Sequence, residues 1–361
     1  MDENSKFLDI SVRKQLYLQG VLNYLNYEFS KTTEDLKVEV LALLALISSQ
    51  KFESMSRTEL SKLIINLKRA QAYVFKNYES KLFAQLALFS AEDLSLSRIL
   101  WANAFLESKN QKAKIEKDEE AISFIIKHHK TNALPFALYG IEVINEITAN
   151  RIFKAAVNTP MPANGLNLEN FLKGFLASAQ VGIENTVRKA WANKKSMPEL
   201  TNDIGGASKP GFTSQIQKIK QQGNAALATS LQHLTSIIGA GVVSTFFSSY
   251  TWLSVIDNAT SAICYERNKK VFKFGKGPLP PAHILCRSHI APYVGIGDIA
   301  NQSLYAWAVR QPEKVAIDLF GIEIANKIKN GTLKAKDLQE YIYANRLTQT
   351  QYNRKSTLIL T

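Results

Sequence analysis

A mainly α-helical chain with a small β element, an α+β fold, is what this sequence predicts, and three observations carry the prediction. Apolar residues recur at helical spacing from Leu16, Leu18, Val21, Leu22, Tyr24 and Leu25 onward. Two hydroxyl-x-x-acid signatures, Ser56-Arg57-Thr58-Glu59 and Ser90-Ala91-Glu92-Asp93, stand ahead of apolar runs as helix starts do. Only around Ser249–Ile256 does the period fall to two, with Tyr250, Trp252 and Ser254 alternating against Thr251, Leu253 and Val255. The expected organisation is a helical domain over residues 1–150 and a mixed domain over 151–361, with a strand-and-turn motif at 250–294.

The elements follow in order. Ser56 and Ser90 offer hydroxyls to free first-turn N–H groups, and the acids three residues on suit the positive helix end, which predicts helices over LSKLIINLKRAQAYVF and LSLSRILWANAFL. Ser108–Glu119 is a charged connector, Glu120–Lys130 a further helix, and Ala133–Ala155 resumes the apolar pattern. Asn158–Leu166 (NTPMPANGL) and Asn202–Phe212 (NDIGGASKPGF) are loops, on their glycines and prolines. Between them Asn167–Ala192 reads as one amphipathic helix. Thr213–Gly239 reads as another, closed by Gly239 and Gly241. Val271–Phe274 is a second short strand, Gly275–Pro281 a rigid turn, and helices return from Asn301, with a turn at Asn330-Gly331 and a further helix from Lys336 to Ala344.

Composition narrows the function classes. The chain has 361 residues, 46% of them apolar, enough for packed cores. A net charge of +13 predicts attraction to a polyanion: nucleic acid, an acidic membrane surface or an acidic protein. Two cysteines make no disulfide framework, so a reducing compartment is expected. The start MDENSKFLDI has no basic region followed by an apolar run, so no secretion signal is expected. The apolar run Val40–Ser48 is short of the roughly 20 residues a membrane span needs, so no membrane anchor is expected. No Walker loop, GxGxxG, GxSxG or HExxH motif occurs, which leaves phosphate-loop, dinucleotide, hydrolase and zincin readings without support.

The stretch Trp252–Ile290 concentrates the chemistry. Both cysteines lie in it, Cys264 and Cys286, with His283 and His289 close by. The layout Cys264…His283-x-x-Cys286-x-x-His289 supplies four soft or borderline donors, enough for a tetrahedral zinc site. The same residues also read as buried small apolar thiols beside a hydrogen-bonding core histidine. Cys286, with His283, His289 and Arg287 near it in sequence, is a third possibility, a nucleophile. The stretch is also basic. Arg267, Lys269, Lys270, Lys273, Lys276 and Arg287 face one acid, Glu266, and Tyr265, Phe272 and Phe274 interleave with them. Such a loop suits nucleic-acid phosphates or an acidic partner, and equally a solvated turn.

The same residues resemble the C-terminal motif region of phage head-morphogenesis proteins, the minor head protein family of the phage Mu F type. Trp252 takes the family's Trp place and Asp257 its Asp. Thr260-Ser261-Ala262-Ile263-Cys264 takes the Cys-x-x-Cys segment, with Ser261 at the first thiol. Lys270-Val271-Phe272 takes the strand. Pro280-Pro281-Ala282-His283-Ile284-Leu285-Cys286-Arg287-Ser288 takes the close, with Ser288 at the last thiol. Ala228-Thr229-Ser230 and the segments around Tyr305-Ala306-Trp307, Gln311-Pro312, Leu319-Phe320-Gly321 and Asn330-Gly331 match the flanks more weakly. The match covers residues 150–350. With two thiols of the pattern absent, His289 is expected as a replacement donor, and Trp252, Asp257, His283 and Arg287 as a scaffold knitting strand to turn.

The resemblance implies a minor head protein of a tailed bacteriophage, seated at the portal vertex of the virion after assembly in the host cytoplasm. Its implied partners are the portal protein, the major capsid protein and packaged DNA, and its implied work is head assembly without turnover of a substrate. No cofactor is expected beyond the zinc that the Cys/His layout admits. Two alternatives stand beside this reading: an internal virion protein ejected with the genome, and a metal-dependent nuclease or toxin-like effector.

Overall fold

In the computed structural model, the residues described are 3–108, 146–207, 210–244, 247–255, 260–293, 309, 313–334 and 337. Helices dominate: α1 (Glu3–Ala45), α2 (Ser49–Glu53), α3 (Arg57–Ser108), α4 (Glu146–Asn158), α5 (Leu168–Ala192), α6 (Met197–Gly205) and α7 (Gln215–Val243). The later part brings β1 (Ser249–Leu253), α8 (Ala262–Arg267), β2 (Val271–Lys273), β3 (His289–Pro292) and α9 (Glu313–Lys329). The expected class, mainly α with a small β element, is what the structure has. The described residues fall in two compact units, one within Met1–Tyr24, Leu86–Leu168 and Thr229–Thr361, the other within Leu25–Gln85 and Glu169–Ala228. Residues on both sides of position 150 belong to the first unit.

The capping signature at Ser56 works as read. Glu59 Oε2 accepts from the Ser56 N–H at 2.8 Å, and Ser56 Oγ accepts from the Glu59 N–H at 3.3 Å. The second signature does not. α3 runs unbroken through Ser90, whose hydroxyl donates back to Leu86 O at 2.8 Å, and Asp93 is fully buried. A mid-helix serine can satisfy its hydroxyl on the preceding turn, so hydroxyl-x-x-acid marks a start only where the chain already leaves the helix. A similar pairing at Ser196, whose N–H and hydroxyl both donate to Glu199 at 2.8 Å, opens α6 inside a segment without an expected helix.

α7 also runs past its expected end, through Gly239 and Gly241 to Val243. By length and composition α7 could cross a membrane, but 94% of its apolar window is buried inside the protein. Its Gly223 is needed for space: a Cβ there would lie 1.8 Å from the ring of Phe29. Phe29 is the centre of the second unit's core, 5.1 Å from Tyr78 and 5.7 Å from Phe175 by ring centroids. In the first unit, Leu94, Trp101, Ile152, Ile238, Val242, Val243 and Phe247 make one cluster. Beside it a buried polar network joins three helices: Lys14 Nζ lies 3.1 Å from Asp93 Oδ1, and Thr235 donates to Asp93 Oδ2 at 2.9 Å.

The sheet is antiparallel in the order β2-β1-β3. Strand β1 matches the period-two reading but ends at Leu253, and Tyr250 through Leu253 are all buried because both faces of this central strand are covered. Phe272 opposes Tyr250 across β1–β2, and Trp252 opposes Ile290 across β1–β3. Lys269, with φ of 64°, donates its N–H to Trp252 O at 2.8 Å, and Lys270 O accepts from Trp252 N at 3.0 Å, so the ladder continues past β2. The turn at Asn330-Gly331 is present, with Gly331 at φ 66°. The expected helices at Glu120–Lys130 and Lys336–Ala344, and the segment 133–145, lie outside the described residues, Asp337 excepted.

Candidate metal centre

Cys264 enters the site from α8. Ser261 caps that short helix, its hydroxyl accepting from the Cys264 N–H at 3.4 Å. Cys286 and His283 enter from one turn, closed by the Cys286 N–H on His283 O at 3.1 Å. Leu285 in that turn holds φ of 61°, a region that favours glycine, and its N–H is fixed on Thr229 Oγ1 of α7 at 3.0 Å. One turn further along α7, Gln232 Nε2 donates to Ser288 O at 2.8 Å. The turn is thus tied at both ends to a helix of the same unit.

These ties bring three donors together. The ligand atoms of Cys264, His283 and Cys286 all lie within 4.8 Å of one another. The two sulfurs are 3.6 Å apart, and His283 Nε2 is 3.2 Å from Cys264 Sγ. His283 Nδ1 lies 2.8 Å from Ile284 O, and a carbonyl can only accept, so Nδ1 carries the proton and Nε2 turns a lone pair toward the thiols. That second-nitrogen bond is the usual means of orienting a metal-ligating histidine.

Trp252, fully buried, floors the centre, with Cys264, Cys286, Phe272 and Ala282 packed against it. Its indole N–H donates to Ser254 Oγ at 2.9 Å, and Ser254 in turn contacts Cys264 O at 2.8 Å and Ser288 Oγ at 3.0 Å. Ser254 has one proton, and the Cys264 carbonyl can only accept, so that proton goes to the carbonyl. Ser288 is then the donor to Ser254, and its remaining lone pairs are free of that bond. Burial pushes the Cys264 thiol up, but the hydrogen bonding around it, with Ser261 foremost, outweighs burial and holds it below the usual thiol range. At Cys286 burial wins and, with the charge of Cys264 beside it, holds the thiol above that range.

His289 is not part of the group, which corrects its expected role as a ligand. It sits on β3 opposite Leu253, where strand register fixes its direction independently of its sequence distance from Cys286. Both its ring nitrogens are buried without a partner, and burial pushes its pKa down to about 4. Of the expected scaffold, Trp252 and His283 are at the centre, Arg287 is half-buried beside Cys286, and Asp257 lies outside the described residues. The basic residues line the rim. Lys269, Lys270, Lys273 and Lys276 are exposed, while Arg267 lies over the Trp252 ring at 5.1 Å.

Sequence reasoning missed Ser254, Ser288, Thr229 and Gln232 as supports of the centre. Two signals were present: Ser254 follows Trp252 by two residues, the same-face spacing of a strand, and Thr229 and Gln232 are three apart on a helix. The chemistry of the donors fits a soft or borderline ion such as zinc, with Cys264, His283 and Cys286 to hold it. Comparison with known proteins adds nothing to this geometry: no family model matches the chain, and neither a curated protein nor a solved structure does.

Proposed function

We propose that this chain is a minor head protein of a tailed bacteriophage, associated with the portal and acting in head assembly and the handling of packaged DNA. One observation carries the reading. Of the residues that resemble the head-morphogenesis motif, Trp252, Cys264, Phe272, Ala282, His283 and Cys286 come together in a single small module. A zinc ion held by Cys264, His283 and Cys286 would cross-link α8 to the turn at 283–286 and so stabilise the module. Two sulfurs and an imidazole suit zinc better than the hard, oxygen-ligated Mg²⁺ of phosphoryl-transfer sites.

The rim supplies the DNA-facing surface. Four lysines of the module's own segment, Lys269, Lys270, Lys273 and Lys276, are exposed, and Arg267 is engaged with Trp252. Each phosphate neutralised releases counterions, so replacing all four lysines by Gln lowers the slope of log affinity against log salt by about 3 to 4 when each meets one phosphate. An unchanged slope removes the rim from the DNA interface. The function itself is tested by fractionating particles: the chain should travel with the portal vertex before and after the genome is released. Its loss on emptying would identify an internal ejected protein, and cleavage of DNA or RNA by purified chain would identify an enzyme.

A further inference from the structure

We propose that Cys264 and Cys286 are a disulfide-forming pair, closed by a peroxide-class oxidant and kept open by a metal ion on the same two sulfurs. The chain holds two cysteines in all, and the fold brings both to one place from either end of a 22-residue separation. Their sulfurs are 3.6 Å apart, in van der Waals contact, and closing to a bond of about 2.05 Å is a short movement. Both side chains are nearly fully buried, at 3% and 5% exposure, which disfavours disulfides with a second protein molecule, and His283 beside them is only half-buried. His283 Nε2, 3.2 Å from Cys264 Sγ, is placed to take that thiol's proton.

The chemistry balances with peroxide alone. Cys264, having given its proton to His283, attacks one peroxide oxygen. The O–O bond breaks, leaving a sulfenic acid, and the hydroxide released takes a proton to become water. Cys286 sulfur then attacks Cys264 sulfur, the S–O bond breaks and a second water leaves, carrying the Cys286 proton. Two thiols and one peroxide give one disulfide and two waters. A bound metal ion occupies the lone pairs this sequence needs, so metal and cross-link exclude one another.

The test uses the full chain, stripped with chelator and kept reduced, then exposed to hydrogen peroxide with and without prior zinc. Digestion without reductant should recover the Cys264 peptide joined to the Cys286 peptide with loss of two hydrogens. Folded protein should form it at least about ten-fold faster than the same chain in urea, because the fold holds the sulfurs together. Zinc should slow it by at least about ten-fold, and peroxide should release zinc as the cross-link appears. In Cys286→Ser, a sulfenic acid on Cys264 should be trapped by dimedone. Equal rates folded and in urea, over-oxidation to sulfinic acid without a cross-link, disulfides between chains, or zinc without effect would each overturn the proposal.

Discussion

The buried ion pair of the first unit gives the sharpest quantitative test. Asp93 is fully buried and Lys14 is 8% exposed, with 3.1 Å between Nζ and Oδ1. At that distance and an effective dielectric of about 20 the attraction is about 5 kcal/mol before desolvation is counted. Asp93→Asn keeps the shape and the oxygen that accepts from Thr235, but strips the charge facing Lys14. An unpaired buried charge costs about 3–5 kcal/mol, so Asp93→Asn should destabilise the unit by that much. Lys14→Met, which strands the carboxylate instead, should cost a similar amount. The double variant removes both charges and should return to within about 1 kcal/mol of the parent. The assay is pulsed thiol labelling across a urea gradient: Cys264 and Cys286 are both buried in this unit, so their labelling reports its unfolding without interference from the other. A single variant costing less than about 1 kcal/mol, or a double no better than the worse single, would refute the reasoning.

Three further outcomes follow from the structure. Gly223→Ala should destabilise by about 2 kcal/mol or more in urea unfolding, despite Ala's gain of about 1 kcal/mol in helix propensity, because its Cβ would lie 1.8 Å from Phe29; adding Phe29→Leu should recover part of the loss. His289, pushed down to about 4 by burial against about 6.5 in the unfolded chain, is neutral in the fold, so its stabilisation is complete above about pH 6.5 and lost as pH falls toward 4. The loss is worth at most about 3 kcal/mol, and His289→Leu should flatten that part of a stability-versus-pH profile relative to the parent, leaving the share of His233, which burial also lowers. Cobalt titration should give a thiolate-to-metal charge-transfer band of two-sulfur intensity, and Cys264→Ser, Cys286→Ser or His283→Ala should each weaken metal binding by at least about ten-fold.

The sequence alone determined the helical class, the capping box at Ser56, the helix through Asn167–Ala192 and the strand at Tyr250, because each rests on contacts within a few residues or on a strict period. It also marked Cys264, His283 and Cys286, since soft donors so scarce in the chain stand out by chemistry. Tertiary structure decided the rest. Ser90-Ala91-Glu92-Asp93 has the local form of a helix start, yet Asp93 is claimed by Lys14 and Thr235, residues distant in sequence. Gly239 and Gly241 look like a helix end, yet packing carries α7 past both. His289 counted as a donor by spacing, and the strand register turned it away from the thiols, while Ser254 and Ser288 entered through hydrogen bonds that no spacing rule contains. A local rule reads the energy of a few neighbouring residues; which side chain meets which across the fold depends on burial that only the folded chain creates.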